Sequence, residues 1–131
     1  MLPALLKAVD AGADLVCGSR HIDGSRITVQ QGILRVILGA LFRNVVHLST
    51  NLPVKDTQCG CKMFRREKLL PIFDQLQEEG FAFDIELLLA ARRQGLVIEE
   101  IPIVWSDGGS SSVSPILDGM KMLSALIRLV R

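Results

Sequence analysis

One arginine, Arg20, stands where an α/β sheet would place a ligand-binding side chain. It follows a short apolar segment, residues 14–17, and a small turn formed by Gly18 and Ser19. An apolar run of this length beside a glycine turn predicts a buried strand. Ligands of α/β sheets bind at the carboxyl ends of the strands, and a planar guanidinium there can bind a phosphate through two parallel hydrogen bonds. We therefore expect Arg20 to bind phosphate; the alternative is a surface arginine that caps a loop.

A carboxylate, Asp56, lies in a polar loop after Pro53. A carboxylate in such a loop could act as a general base or orient a hydroxyl group. The alternative is an Asx turn, because an Asp-Thr pair is favourable in turns. A loop aspartate of this kind would contribute at most about 1 kcal/mol to stability through turn hydrogen bonds.

Two further carboxylates, Asp84 and Glu86, stand two residues apart at the predicted start of a helix over residues 84–94. Side chains at this spacing do not share one helix face. Asp84 is therefore predicted to cap the helix N-terminus, and Glu86 to point elsewhere.

Two arginines, Arg35 and Arg43, are eight residues apart on a long amphipathic helix predicted from Gln31 to about Ser49. This spacing places both on one helix face, where they could bind lipid headgroups or a phosphate. The alternative is a solvated polar stripe. The same two arginines interrupt the most apolar stretch, residues 31–48, so the sequence predicts no segment of the roughly 18 apolar residues that a membrane span requires.

The remaining pattern predicts an α/β domain with a small sheet and three or four helices. The sheet should contain Asp14–Cys17, the short strand before the glycine turn, and Leu96–Trp105, which alternates in part and is rich in β-branched residues. Other predicted elements are a helix over residues 1–11, a strand over 59–64, a helix over 66–76 and a final helix that begins at Pro115.

Composition sets broad limits on the function. The 131 residues suffice for one small domain, and 49% of them are hydrophobic. A net charge of +1 provides no general field for nucleic acid, which we exclude as a partner. Three cysteines at these spacings predict free thiols in a reducing compartment and no metal site.

Three stretches of the chain are informative together: residues 12–20, residues 56–66, and residues 83–105 with their Phe-Asp-Ile-Glu and Glu-Ile-Pro-Ile-Val-Trp runs. In this order they resemble family 2 glycosyltransferases that act on polyprenyl phosphates, most nearly the dolichyl-phosphate glucosyltransferase type. The resemblance covers nearly the whole chain. It implies the GT-A (nucleotide-diphospho-sugar transferase) fold and transfer of a hexose, most simply glucose, from a nucleotide sugar to a polyprenyl or dolichyl phosphate.

The resemblance also implies that the 131 residues are the C-terminal, acceptor-side portion of the domain. The nucleotide-binding half would precede residue 1, and the chain contains no Asp-x-Asp motif of the kind that holds a metal and the donor diphosphate. No cofactor is expected in this chain, whereas Mg²⁺ or Mn²⁺ is expected for the full-length enzyme. The isolated chain is expected to be inactive.

Roles for individual residues follow from the resemblance. Asp56 is the expected catalytic carboxylate, facing the transferred sugar and the acceptor. The expected phosphate-binding residues are Ser19, Arg20, Arg35 and Gln58, with further candidates in Asp84, Glu86, Ser110 and Ser112. Two departures stand out: Cys61 replaces an aromatic residue, which affects packing, and Ser112 replaces a basic residue, so the loop around it cannot neutralise a phosphate.

The resemblance further implies a location at a membrane surface, on the cytoplasmic side, peripheral or tethered by segments outside the chain. Two alternatives stay open at this point. One is a non-catalytic fragment, and the other is a membrane-associated interaction module built on the Gln31 helix and the last helix.

Overall fold

A computed structural model of the protein describes residues 1–28, 32–106 and 115–131. Within these ranges the chain forms five helices and five strands: α1 (Leu2–Asp10), β1 (Leu15–Ser19), β2 (Arg26–Ile27), α2 (Ile33–Thr50), β3 (Lys62–Phe64), α3 (Arg66–Phe73), α4 (Phe81–Arg93), β4 (Ile98–Pro102), β5 (Val104–Trp105) and α5 (Pro115–Val130). The architecture is mixed α/β with a small sheet, as expected. The prediction of three or four helices falls short of the five observed.

A three-stranded sheet of order β3-β1-β4 forms the centre of the fold. The middle strand β1 pairs in parallel with β4, from Leu15 opposite Ile98 to Ser19 opposite Pro102, and antiparallel with β3. All five residues of β1 are buried, which explains its continuous apolar character. The prediction that residues 14–17 and part of 96–105 share one sheet is confirmed.

The segment 96–105 is two strands rather than one. After β4 ends at Pro102, β5 pairs in parallel with β2 and forms a second, two-stranded ladder. The backbone of Ile103 joins the two ladders, since its N–H donates to the Ser19 carbonyl and its carbonyl accepts from the Arg26 N–H. The segment that follows Arg20 therefore contains a short strand, β2, which the sequence pattern did not predict. The predicted strand over residues 59–64 is shortened to β3, because the backbone bends at residue 60.

The hydrophobic core lies on both faces of the sheet. Leu15 and Cys17 of β1 face a large cluster formed with α2, α3, α4 and α5, whereas Val16 faces a smaller cluster with α1. This alternation is what a strand imposes on successive side chains. The loop after α2 adds Leu52 and Val54 to the larger cluster, so its backbone is anchored from the inside.

Helix α2 is long and apolar enough to cross a membrane by length and composition alone, and only 11% of it is buried. The expectation that Arg35 and Arg43 would prevent this was wrong, because two charges do not outweigh the apolar residues around them. One face of α2 exposes five large apolar side chains: Ile33, Leu34, Ile37, Leu41 and Leu48. Helix α5, which packs against α2, exposes a similar stripe: Ile116, Met120, Leu123, Ile127 and Val130.

Candidate functional site: a basic cavity at the end of strand β1

The site is built on an ion pair between Arg20 and Asp56. Arg20 follows β1 directly, and its Nε and Nη2 atoms donate to the two carboxylate oxygens of Asp56 at 2.7 and 2.9 Å. The Arg20 backbone N–H donates to the same carboxylate at 3.0 Å. The Asp56 side chain is 1% exposed, and that of Arg20 is 23% exposed. Asp56 is therefore a buried partner of Arg20 and not an exposed turn residue.

The electrostatics of the pair keep both groups charged. Burial alone would raise the pKa of Asp56, but hydrogen bonds from the Arg20 side chain and backbone outweigh burial and hold that pKa below its ordinary value. The hydrogen bond to Asp56 raises the pKa of Arg20. A carboxylate that is ionised and engaged in this way is suited to orienting a cation, and less suited to removing a proton near neutral pH.

A third residue, Trp105, packs its ring against the Arg20 guanidinium. The carbon at its centre lies 5.3 Å from the Trp105 ring centroid, in a cation–π contact. Asp56 uses Nε and Nη2, so the Nη1 amino group takes no part in the ion pair. Asp56 thus holds one edge of the Arg20 guanidinium and Trp105 contacts one face, which leaves the Nη1 donors for a ligand.

Arg20 lines a cavity of about 220 Å³ whose walls carry mostly positive charge. Three arginines and one histidine surround one carboxylate, the complete lining being Arg20, His21, Ile27, Arg35, Val36, Gly39, Arg43, Asp56, Gln58, Phe81 and Met122. Arg35 and Arg43 enter from the same face of α2, which confirms their predicted common orientation. Burial is the main reason why the pKa values of His21 and Arg43 are lowered, and neighbouring arginines add to the effect.

An apolar groove of about 270 Å³ opens beside the basic cavity, between α2 and α5. Its walls are mainly aliphatic and aromatic: Leu38, Leu41, Phe42, Val45, Met122 and Leu123. Four residues line both spaces, namely Arg35, Gly39, Gln58 and Met122. These four residues separate the basic cavity from a groove that is mostly apolar, so the two spaces lie next to each other.

Comparison with known proteins gives a consistent result. A dolichyl-phosphate beta-glucosyltransferase of Saccharomyces cerevisiae is 37% identical over 111 residues, which are 84% of this chain and 33% of that protein. A dolichyl-phosphate beta-glucosyltransferase of Dictyostelium discoideum is 34% identical over 88% of this chain and 36% of that protein. The protein of that description from Homo sapiens is 34% identical over 82% of this chain and 33% of that protein. The chain is dolichyl-phosphate glucosyltransferase-like.

No family model matches the chain. The chain spans about a third of the length of the curated relatives it matches, so it corresponds to a part of those proteins. The resemblance inferred from the three motif stretches is confirmed. The mixed α/β fold with its small sheet is consistent with part of a GT-A-like fold.

Two predicted phosphate ligands of this dolichyl-phosphate glucosyltransferase-like chain have different positions. Gln58 lies in the cavity wall, where its Nε2 donates to the Phe81 carbonyl at 3.4 Å and to the Met122 sulfur at 3.1 Å. Ser19 is fully buried and does not line the cavity. Its Oγ accepts from the His21 backbone N–H at 3.2 Å, so Ser19 shapes the turn that carries Arg20 and His21.

The other carboxylates lie outside the cavity. Asp84 was predicted to cap α4, but the helix begins at Phe81 after Gly80, and Asp84 in its first turn forms an ion pair with Lys62 at 2.7 Å. The cap prediction was wrong because Gly80, at φ 60°, starts the helix earlier. Glu86 accepts hydrogen bonds from the backbone of residues 77 and 78. Ser110 and Ser112 lie outside the described residues.

Sequence reasoning assigned no role to two contributors to this site, His21 and Trp105, and it left the role of Arg43 open between a phosphate or lipid contact and a solvated stripe. Arg43 was weighed as part of a solvated stripe, and its spacing from Arg35 was the available signal. His21 follows Arg20 immediately, so it had to lie near the same strand end. The contact of Trp105 with Arg20 depends on the β2–β5 ladder, which no local pattern indicates.

The cysteines and carboxylates of the described residues offer no metal centre. All three cysteines are free, as expected, and burial raises the pKa of Cys17 to about 12. Within residues 1–28, 32–106 and 115–131 no group of three or more histidine, cysteine, aspartate and glutamate side chains could hold a metal ion. The residues that the structure describes therefore do not fit the Mg²⁺ or Mn²⁺ expected of the full-length enzyme.

Proposed function

We propose that this chain forms the acceptor-binding part of an enzyme that transfers glucose from a nucleotide sugar to a polyprenyl phosphate of the dolichyl type. The observation that carries the proposal is the position of the basic cavity next to the apolar groove, with four lining residues in common. A polyprenyl phosphate has the same division, with a charged phosphate at the end of a hydrocarbon chain. Charge-assisted hydrogen bonds would hold the phosphate, and burial of apolar surface would hold the first isoprene units.

The chemistry of the acceptor accounts for the excess of arginines. A phosphate monoester is already an anion, so it needs to be neutralised and oriented more than it needs a strong base. Arg20, Arg35 and Arg43 would supply the positive charge from two elements, the end of β1 and one face of α2. A phosphate oxygen held there would attack the anomeric carbon of the sugar, and the bond from that carbon to the nucleotide diphosphate would break.

Asp56 is proposed to support the attack through Arg20. Its two oxygens already bind the guanidinium, and this fixes the direction of the remaining Arg20 donors. The proposed catalytic contribution of Asp56 is thus to orient a phosphate-binding cation and to balance part of its charge. Direct contact of Asp56 with the transferred sugar stays a prediction from the family resemblance.

The donor side of the reaction is proposed to lie elsewhere in the full-length enzyme. The Mg²⁺ or Mn²⁺ expected to neutralise the nucleotide diphosphate has no fitting ligand group among the described residues. We therefore expect the isolated chain to form no product from UDP-glucose and a polyprenyl phosphate. Measurable turnover would contradict this division of labour.

A membrane surface is the proposed environment of the chain. The exposed apolar stripes of α2 and α5 flank the groove that would receive the polyprenyl chain, so a lipid acceptor could enter from the bilayer without crossing water. The three free cysteines support the cytoplasmic side, because thiols persist in reducing compartments.

The proposal is tested by comparing three probes: farnesyl phosphate, farnesol and inorganic phosphate. Calorimetry or NMR titration of the wild-type chain should show tighter binding of farnesyl phosphate than of either fragment. Replacing Arg35 and Arg43 together by glutamine should weaken farnesyl phosphate binding by at least about tenfold, since each charge-assisted hydrogen bond is worth about 1.5–3 kcal/mol. The exposed Arg26, which does not line the cavity, provides the control R26Q.

The junction of cavity and groove offers a sharper test at Gly39. A Cβ at this position meets only the flexible end of Arg43, at 3.5 Å, so Gly39→Ala should be tolerated. Gly39→Leu should obstruct the junction and weaken farnesyl phosphate binding while inorganic phosphate binding persists. If farnesol binds as tightly as farnesyl phosphate to every variant, the membrane-associated module becomes the better explanation.

A further inference from the structure

We propose that Glu100 is a positioning residue of the acceptor site, acting through the backbone that carries Asp56; this inference rests on the proposed function. Glu100 lies on β4, and its Oε1 accepts a hydrogen bond from the Asp56 backbone N–H at 2.8 Å. Both of its carboxylate oxygens also lie 3.0 Å from the Lys55 backbone N–H. Glu100 does not line the basic cavity, so its effect on a ligand would be indirect.

The segment that Glu100 binds has no regular structure to hold it. Asp56 lies between the end of α2 and the start of β3, where the backbone forms neither helix nor strand. The buried side chains of Leu52 and Val54 anchor the earlier part of this loop. The backbone N–H groups of residues 55 and 56 donate to the carboxylate of Glu100, which is 45 and 44 positions away in sequence. Hydrogen bonds to an ionised acceptor are stronger than neutral ones, so Glu100 is well suited to fix this turn.

Hydrogen bonds connect the paired strands β1 and β4 to the loop that carries Asp56. Glu100 stands opposite Cys17 in the parallel register of β4 with β1, and Arg20 follows β1 directly. Arg20 binds the Asp56 side chain, and Glu100 binds the Asp56 backbone. The paired strands β1 and β4 are therefore both linked to Asp56. Asp56 is held at both its backbone and its side chain, so its carboxylate has little freedom to move. The direction of the Arg20 guanidinium is therefore set by two strands together.

The neighbouring glutamate provides a matched control. Glu99 occupies the same strand and is exposed, whereas Glu100 is half-buried. Successive residues of a strand point to opposite sides, so Glu99→Ala removes the same charge without reaching the loop. Glu100→Gln is the conservative variant. Its amide oxygen can keep both bonds made by Oε1, while its amide nitrogen would face the Lys55 N–H, donor against donor.

The first measurement uses the ligand-free chain and is independent of any activity. NMR would follow the backbone N–H signals of Lys55 and Asp56 and the Arg20 Nε–H signal in wild type, E99A, E100Q and E100A. In E100A we expect the two backbone signals to shift and the Arg20 Nε–H to exchange faster with solvent. E100Q should shift Lys55 more than Asp56, and this variant keeps the test usable if E100A does not fold. Unchanged Arg20 exchange in both Glu100 variants overturns the positioning role.

The second measurement is the dissociation constant of farnesyl phosphate, corrected for the folded fraction. We expect E100A to weaken binding about tenfold, E100Q to recover most of the affinity and E99A to match wild type. In a D56N background, E100A should add little, because Glu100 acts through Asp56. An E100A chain that binds like E99A overturns the inference. A wild-type chain that does not bind farnesyl phosphate overturns the proposed function instead, and the ligand-free NMR result distinguishes the two failures.

Discussion

The Arg20–Asp56 pair shapes the basic cavity at the end of β1, and Arg35 and Arg43 give the cavity its excess positive charge. Its carboxylate is buried, its guanidinium reaches the cavity, and Trp105 restricts the guanidinium on one face. Removing one member of such a pair leaves a desolvated charge without a partner, which costs more than the pair contributes. At the scale of single residues, the site and the stability of this chain are therefore coupled.

Replacing Asp56 by asparagine should destabilise the protein. The variant keeps the shape of the side chain but leaves Arg20 partly buried without its counter-ion, at a cost on the order of 3 kcal/mol. The structure buries Asp56, so it is not the exposed turn aspartate from which at most about 1 kcal/mol was expected. Urea denaturation of D56N and of the exposed-loop control D23N provides the measurement. Equal midpoints for the two variants would show that the ion pair contributes nothing net.

The position of His21 predicts that stability depends on pH. Its folded pKa lies below the ordinary value of 6.5, mainly because of burial and also because of Arg43. The unfolded chain then binds more protons than the folded chain just below pH 6.5, so stability should fall as pH drops through that value and level off below the folded pKa. A bound phosphate would offset the nearby arginines and should extend stability to lower pH.

The pH effect is measured by urea denaturation between pH 5 and 8. His21→Gln should remove the part of the pH dependence that His21 causes. His47→Gln, at an exposed position of α2, controls for the loss of a histidine. If H21Q and H47Q change the pH profile equally, the environment of His21 is not responsible.

At the scale of elements, helices α2 and α5 combine two functions on different faces. Their inward faces contribute core residues such as Val46 and Leu126, and between them lies the apolar groove. Their outward faces carry the exposed stripes. Arg35 and Arg43 point toward the cavity, so the apolar stripe rather than these arginines should dominate contact with a bilayer.

Replacing Ile37 and Leu48 by serine should weaken association with phospholipid vesicles at least about tenfold. Both side chains are exposed, at 58% and 85%, and neither lines the cavity or the groove. Each would lose about 1.5–3 kcal/mol of apolar burial if the stripe enters the bilayer. Vesicle flotation would compare this variant with L70S, which alters an exposed leucine on α3. Equal flotation of both variants would argue against the stripe as a membrane contact.

At the scale of the whole molecule, β1 is the element on which the rest of the fold depends. It is buried throughout, it separates the two core clusters, and it positions Arg20 at its end. Cys17 reports directly on this strand, because its thiol is fully buried and its pKa is raised to about 12. Cys59 is also buried, whereas Cys61 is partly exposed.

The three thiols should therefore react with a thiol reagent at different rates. In the native protein only Cys61 should react rapidly, while Cys17 and Cys59 should react when the chain unfolds. Counting reactive thiols with and without urea tests this, and Cys61→Ser should abolish the fast phase. Three rapidly reacting thiols in the native state would show that the core around β1 opens readily.

The sequence by itself determined the short-range features of this protein. The buried strand before Arg20 and the common face of Arg35 and Arg43 follow from neighbouring residues, and the structure confirms them. These two features depend on helix and strand periodicity, which local sequence contains. The resemblance to dolichyl-phosphate glucosyltransferases rests on three separate stretches taken in order, and the comparisons confirm it. The start of α4 and the division of residues 96–105 into two strands were predicted incorrectly. They depend on the backbone conformation at Gly80 and on the backbone hydrogen bonds of Ile103.

Only the tertiary structure decided which charged groups meet. Asp56 lies 36 positions from Arg20, and Glu100 lies 44 positions from Asp56, so strand register and the path of the loop bring them together. The same holds for the junction between cavity and groove, which requires α2 and α5 to pack side by side. Side-chain partners at such separations depend on how whole elements pack, and local propensity carries no information about that packing.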